Sequence, residues 1–568
     1  MNAGKIIAQT LKLYGIEYFF AFSGGGDDIW LGLRDVGIQY ILPHNERSAV
    51  IMADAYSRIT GRPSFTHGMW GPAAAICVGG LVDAYWAQSP VICLTSTIPS
   101  AGMHRYDYQA IEDQQSLFAP ITKWNAVVAN IARLPDMLRN AIRMAMSGAP
   151  GPVHIDIPVE LTFTSAVDLP DVQLYAESEF MKLPTCRVGP VFQDIEKAIE
   201  VIGRAKRPLI LAGGGIMASE AWNELIQFAE SLSIPVVTSA AAKPCIPTDH
   251  PLAVGGVGKY SRTVANNAAA KCDTYIVIGS NLGDHTTNSR QAPSSSAKVI
   301  HIDLDARVLG TSYREEVSIV SDAKLALKAL IEAGKALRNS QKACPWADWV
   351  KEVQSMVASW KATLVKKARE KGAEGAINPY FVIAALNKVL GLDDVLVADT
   401  GYMGAYGTTC VAVKSPGRKY IHACGSLGWG LPASLGAQLA VRDKARVICL
   451  TGDGGIGYHV SDIETAVRYN LPVVVIVMNN SSLAFEYHII KNLYKDTLPA
   501  ISDFSDIDYG AVAKNFGAYG EKVRKPEDVE RTLRRALDSG RPAVVDFATD
   551  KEIIAPVTDY ERVEKRQL

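Results

Sequence analysis

The chain has no uninterrupted apolar run near the ~18 residues that a membrane helix needs, so no membrane partner is expected. It also lacks an excess of either charge. The 58 Lys and Arg residues face 59 Asp and Glu, a net charge of −1, which argues against a nucleic-acid partner or an anionic membrane surface. None of the nine cysteines forms a C-x-x-C pair, and the ten histidines give no H-E-x-x-H spacing. A disulfide framework and a dedicated zinc site are therefore not expected, and a reducing compartment is. The first twenty residues look like a signal peptide, but Lys5, Lys12 and Glu17 interrupt them. The apolar spacing from Ile6 to Leu13 is amphipathic, and the segment reads as the first helix of a cytoplasmic enzyme.

What is present is a pattern of apolar strands alternating with helices. At 568 residues the chain is too long for one core. Strand-like segments occur at 90–96 and 152–158; at 207–215, 234–240, 274–280 and 298–305; and at 394–401, 445–455, 471–480 and 542–548. This is the signature of parallel α/β domains. The expected fold class is α/β, with three doubly wound parallel-sheet domains over 1–180, 181–345 and 370–550, and a C-terminal tail over 551–568. A charged helical stretch from about 322 to 370 precedes the third.

The strongest local signal is Gly452-Asp453-Gly454-Gly455, directly after an apolar strand, with Asn479-Asn480 closing the next strand. In a parallel sheet both strand ends open at the carboxyl edge, where ligands of α/β folds bind. The separation from 453 to 480 fits a loop, a helix from Ser461 to Tyr469 and a second strand. Asp453 can supply a carboxylate oxygen, Asn480 an amide oxygen and Ser482 its backbone carbonyl. With diphosphate oxygens and water these make the all-oxygen shell that Mg²⁺ demands. Gly454 and Gly455 would let backbone N–H groups approach the phosphates. Gly452, Gly454 and Gly457 also satisfy G-x-G-x-x-G, the dinucleotide fingerprint of a nicotinamide-dependent dehydrogenase. That alternative needs an acid at the end of the next strand, and Val473 to Met478 contains none. A glycine turn without a ligand is the plain alternative, and the metal-diphosphate reading is preferred to it.

The G-D-G segment followed by a doubled asparagine resembles the metal-diphosphate motif of thiamine-diphosphate enzymes. The order of segments along essentially the whole chain is similar to their acetolactate synthase-like branch. The resemblance implies a pyrimidine-binding domain first, a middle domain that binds FAD, ADP or nothing, and a diphosphate-binding domain last. It implies that Glu46, in His44-Asn45-Glu46-Arg47, activates the cofactor by bonding its aminopyrimidine ring, and burial beside Ala49, Val50 and Met52 would raise its pKa. A helix-start acid favoured by the macrodipole is the plain alternative. In Gly425-Ser426-Leu427-Gly428, the Gly425 carbonyl would receive the cofactor's amino group and Leu427 would wedge its rings apart; a core leucine is the alternative. Gly401 and Tyr402 stand where the family makes further diphosphate contacts, although a strand-to-turn glycine is common. Because Glu46 and Asp453 lie on different domains, the family pairing implies a homodimer or homotetramer.

Several positions depart from acetolactate synthase. Its glycine-proline-glycine segment reads Gly71-Pro72-Ala73, its active-site glutamine position holds Ala110, and a segment with two arginines reads Ser280-Asn281-Leu282-Gly283-Asp284-His285. Glu486, six residues after Asn480, resembles the glutamate of 2-keto acid decarboxylases that moves a proton; a surface-helix glutamate is the alternative. Asp27 and Asp28 are close to the usual partner acid's position near Gly25 without matching it, and His104 stands alone.

The resemblance thus implies magnesium-dependent cleavage or formation of a C–C bond beside a carbonyl. The substrate would be a small 2-keto acid or 2-hydroxy ketone. A 2-hydroxyacyl-CoA or oxalyl-CoA type lyase is the alternative, with Arg562, Lys565 and Arg566 as weak cationic support for an acyl-CoA. A silent binding protein on this fold is a further alternative, disfavoured because Glu46, Asp453 and Asn480 are all retained. In the middle domain Asp303 and Asp305 could take a ribose hydroxyl or serve as turn caps.

Overall fold

The computed structural model describes residues 2–162, 173–340 and 344–557. Three six-stranded sheets account for its strands, and every pairing within them is parallel. The first contains β1 (Tyr18–Ala21), β2 (Gln39–Ile41), β3 (Ser64–Gly68), β4 (Val91–Thr97), β5 (Trp124–Val127) and β6 (Val153–Pro158), in the order β2-β1-β3-β4-β6-β5. The second contains β7 (Pro208–Ala212), β8 (Val236–Thr238), β9 (Ala253–Gly256), β10 (Thr274–Ile278), β11 (Lys298–Asp303) and β12 (Val317–Val320), in the order β12-β11-β10-β7-β8-β9. The third contains β13 (Val395–Ala398), β14 (Tyr420–His422), β15 (Val447–Gly452), β16 (Val474–Asn479), β17 (Tyr519–Val523) and β18 (Ala543–Ala548), in the order β14-β13-β15-β16-β18-β17.

The first and third sheets have the same topology, strand for strand. The second has the order of dinucleotide-binding folds, reversing direction between β7 and β10. The central strands are apolar on both faces because helices cover both faces of a parallel sheet. Thus β7, β10 and β16 are buried throughout. The charged stretch before the third sheet forms two helices, Ala323–Ser340 and Ala347–Arg369.

The chain divides into two compact units. One comprises 1–186, 423–443 and 459–471; the other comprises 187–422, 444–458 and 472–568. Within the first, the helix Gly430–Val441 packs closely on the helix Glu46–Thr60. A Cβ at Gly436 would lie 2.1 Å from the Met52 carbonyl oxygen, so only glycine permits this approach. The contact is reinforced by a buried charge network. Asp54 is wholly buried and ion-pairs with Arg58 at 2.6 Å. It also accepts the Trp429 indole N–H at 3.1 Å, while the Arg58 guanidinium lies 4.7 Å from the centre of the Trp429 ring. Burial pushes the Asp54 carboxyl up despite the opposing Arg58 charge. Removing one partner from such a pair leaves the other charge buried and uncompensated. Asp54→Ala is therefore expected to cost about 3–5 kcal/mol, read as a lowered midpoint in denaturant unfolding. An unchanged midpoint would contradict the role.

Candidate functional site

The residues singled out in the sequence fall into two groups, one in each compact unit. In the first unit Glu46 is the first residue of the helix Glu46–Thr60. Asn45 caps that helix by accepting the Ser48 N–H at 2.9 Å. Ala49, Val50 and Met52 are fully buried, whereas Glu46 itself is half-buried. The segment 459–471 pins the chain on both sides of Glu46. Asp462 accepts the His44 N–H at 3.2 Å and the Ser48 hydroxyl, and Ser48 Oγ lies 2.8 Å from His459 Nδ1. Burial, reinforced by the Arg47 charge, pushes the His459 imidazole down to about 4, so it is neutral here. His44 also meets Glu464 at 2.8 Å. The sequence reading missed this cluster, because its members are some 400 positions apart.

The Gly425–Gly428 turn lies in the same unit. Its Leu427 carbonyl oxygen accepts from Arg47, the neighbour of Glu46, at 3.0 Å. Leu427 is half-buried and so does not belong to the core, and Gly425 is exposed. The structure thus brings Glu46, Gly425 and Leu427 to one region.

The second unit assembles Asp453, Asn480 and Ser482. The Ser482 backbone N–H donates both to Asp453 Oδ2 at 2.8 Å and to Asn480 Oδ1 at 3.0 Å, so one donor gathers the two oxygens. Ser481 makes this turn with a left-handed backbone, φ 54°. The doubled asparagine divides its work. Asn479 is buried, donating to the Ile507 carbonyl at 2.9 Å and to Asp546 at 3.3 Å, while Asn480 is half-buried just past the strand end.

Asp453 is only 5% exposed, and burial pushes its carboxyl up to about 7 against the backbone N–H groups that lower it. A buried carboxylate in that condition calls for a proton or a cation. The donors beside it are an amide oxygen and backbone, a hard-oxygen set suited to Mg²⁺. Among the described residues no cluster of three or more His, Cys, Asp or Glu could hold a metal, so a cation here would depend on such mixed donors. The residues fit a metal-bridged diphosphate.

One expectation needs correction. Asp453-Gly454-Gly455 is not a loop but the first turn of a helix, Asp453–His459, and a second helix, Asp462–Arg468, follows. The two glycines also have a packing reason. A Cβ at Gly454 would stand 2.6 Å from Leu483, and one at Gly455 2.5 Å from Thr451 Oγ1 and 2.6 Å from Asp399 Oδ2. Neighbouring side chains already fill both places. Asp399 ties two strand ends together, accepting from Thr451 at 2.7 Å.

Gly401, with φ 69°, starts the helix Tyr402–Thr409 at the end of β13. Tyr402 is buried and its hydroxyl bonds to His488 at 2.6 Å, leaving its backbone as the part suited to a diphosphate contact. Glu486 lies on the short helix Ala484–Ile489 and is exposed. The first part of the tail holds this region. Glu552 bonds Tyr487 at 2.6 Å, and Lys551 pairs at 3.2 Å with Asp503, which also accepts from Ser482 at 3.0 Å. Arg562, Lys565 and Arg566 lie outside the described residues. Asp303 accepts the Asp305 N–H at 2.9 Å, and Asp305 clamps Arg307, which is the turn-capping role. No helix among the described residues is long and apolar enough to cross a membrane.

Three family models match the chain, each over part or all of one sheet. Residues 1–117 match the N-terminal TPP binding domain of thiamine pyrophosphate enzymes, 195–330 their central domain and 399–547 their C-terminal TPP binding domain. The chain belongs to the thiamine-diphosphate-dependent enzymes, in their acetolactate synthase-like branch, and its chemistry is carbon–carbon bond formation. It is 30% identical over 566 residues to a probable acetolactate synthase large subunit of Methanocaldococcus jannaschii, covering 98% of this chain and 93% of the relative. Acetolactate synthase isozyme 3 large subunit of Escherichia coli K12 is 27% identical, with 97% and 95% covered. Glyoxylate carboligase of Escherichia coli O157:H7 is 28% identical, with 94% and 90% covered. Membership of this family removes the dehydrogenase and silent-protein alternatives.

The packing around Gly455 gives a direct test. Gly455→Ala should drive Thr451 and Asp399 apart, costing about 1–3 kcal/mol and weakening cofactor binding, read by thermal melts and calorimetry. Undiminished affinity would separate Asp399 and Thr451 from the site.

Proposed function

We propose that this protein is a magnesium-dependent carboligase or decarboxylase of a small 2-keto acid. The observation that carries the proposal is the convergence of Asp453 and Asn480 on the Ser482 N–H, at the carboxyl edge of a parallel sheet. Asp453, Asn480 and the Ser482 carbonyl would hold Mg²⁺, with Gly401, Tyr402, Gly454 and Gly455 around the diphosphate. Glu46 would bond the aminopyrimidine, with Gly425 and Leu427 completing that side. When bound, thiamine diphosphate supplies stabilisation of negative charge on the former carbonyl carbon of the substrate. The chain's own part is to orient that cofactor, hold a proton at Glu46 and select the substrate. A homodimer or homotetramer would let Glu46 of one subunit serve Asp453 of another.

The substrate reading rests on the departures from acetolactate synthase. Gly71-Pro72-Ala73, Ala110 and the segment Ser280 to His285 remove the glutamine and arginines expected to receive a second 2-keto acid. Gly71 caps its helix with φ 67°, and a Cβ there would lie 1.9 Å from the Gln109 carbonyl oxygen, so the Tyr108–Ala110 segment packs directly on it. Glu486, exposed on its helix, is the candidate proton donor that sets the outcome after the first bond is made or broken. The carboxyl edge of the second sheet is the place for a nucleotide, FAD or ADP, if the middle domain binds one at all. An acyl-CoA lyase is the second reading, favoured only by the position of Glu486. Turnover of pyruvate and glyoxylate against a panel of acyl-CoAs, with and without thiamine diphosphate, distinguishes the two. Turnover that survives removal of cofactor and metal would sink both.

Glu46→Gln should leave cofactor affinity nearly intact but slow exchange of the cofactor's C2–H by orders of magnitude, measured by NMR. Asp453→Ala should abolish metal-dependent cofactor binding in calorimetry. A proton competes with the metal for Asp453, whose carboxyl sits at about 7 when metal-free. Apparent Mg²⁺ affinity should therefore fall up to about tenfold per pH unit below that value and level off above it. A flat profile from pH 5 to 8 would show that Asp453 is not a ligand.

A further inference from the structure

Two buried cations lie away from the cofactor residues. Lys243 is 6% exposed and Arg262 4% exposed; both belong to the second sheet's connections and line one small cavity. Both reach the last turn of the helix Tyr402–Thr409. Lys243 Nζ donates to the carbonyl oxygens of Thr408 at 2.9 Å and Val411 at 2.7 Å. Arg262 Nε donates to that of Thr409 at 2.9 Å. A helix C-terminus carries about half a negative charge, which does not balance the pair when both are protonated.

The remaining lining adds no negative charge. Its side-chain polar groups are Thr238, Thr248 and Thr408, with no carboxylate. Asp249, the carboxylate whose charge reaches Arg262, is 86% exposed and pairs with Lys361 at 3.0 Å. The nearby Cys410 thiol is pushed up by burial, so it stays neutral. Space has been kept for the guanidinium: a Cβ at Gly255 would lie 2.4 Å from Arg262 Cδ.

Donors are in surplus. An ammonium has three N–H donors and a guanidinium five; carbonyls take two of the former and one of the latter. Thr248 Oγ1 already accepts the Val413 N–H at 2.9 Å, so its own proton is free to turn toward the cavity. Among the lining side chains a water's protons would find acceptors only in the threonine oxygens, whereas an anion needs only donors.

We propose that this cavity binds one small monovalent inorganic anion of the halide type, held between Lys243 and Arg262 with the threonine hydroxyls. The anion neutralises the pair and so completes the junction between the second sheet's connections and the helix Tyr402–Thr409. The depressed ammonium of Lys243, pushed down to about 7 by burial and by Arg262, is the cost of leaving that cavity without negative charge.

The test uses the full-length protein. Thermal unfolding in sodium chloride or bromide should show a saturable rise of several degrees over sodium gluconate at equal ionic strength. Crystals soaked in bromide should show an anomalous peak within hydrogen-bond reach of Lys243 Nζ and the Arg262 guanidinium. Lys243→Met should lose the halide-dependent rise, and Lys243→Arg should keep it. If Lys243→Met does not fold, the bromide peak and Lys243→Arg decide. A cavity without bromide overturns the proposal, and so does a peak with no halide effect on unfolding, which would be binding at crystal concentration only.

Discussion

A single backbone N–H, that of Ser482, organises the candidate metal site. By donating to Asp453 and Asn480 together it holds oxygens from the ends of β15 and β16 in one place. The arrangement depends on parallel neighbours: Gly452 pairs with Met478, so the residues after each strand emerge at the same level. It also depends on the left-handed residue Ser481, without which the chain would carry Ser482 past the carboxylate. The cost of the arrangement is a buried acid that is unfavourable when ionised alone. A cation there would remove that cost, as the proposed metal role requires.

The same sheet topology serves a second purpose in the first unit. There β2-β1-β3-β4-β6-β5 repeats the order of the third sheet, yet the carboxyl edge carries different chemistry. Gln114, buried there, accepts the Gly71 N–H at 2.8 Å and donates to Asp156 at 2.7 Å and to the Ser96 carbonyl at 2.9 Å. These groups satisfy one another and form no open metal site. Topology decides where strand ends gather, and the side chains decide what can bind. No short repeat in the sequence signals the shared topology, because parallel strands need only apolar residues at matching positions and not the same ones.

The central strands were legible for that reason. PLILA, TYIVI and VVIVMN are continuous apolar runs, and they became β7, β10 and β16. The sheet edges were not. β2 and β14 are three residues each, and β12 alternates buried with exposed positions, so none offers a run long enough to stand out. In the site, Asp453 and Asn480 could be read because their spacing follows from strand, helix and strand. The packing roles of Gly454 and Gly455 could not, since Leu483, Thr451 and Asp399 come from other elements. Tyr402 was legible as a position but not as a hydroxyl already bonded to His488.

The most instructive omission is the cluster around Glu46. Sequence singled out the glutamate and left unread what fixes it. Asn45 and Ser48 are ordinary helix-start residues by composition, and Asp462 is an ordinary first-turn acid. Their meaning comes from contact, with Ser48 and the His44 N–H both bound to Asp462. A half-exposed glutamate at a helix end would otherwise be free to fray. Pinning the residues on both sides of it places the carboxyl without using the carboxyl itself, which takes no hydrogen bond from the described residues and so stays available to a ligand. Glu46 is thus placed through the backbone and neighbours, and in the other unit the Ser482 amide does the same for Asp453 and Asn480.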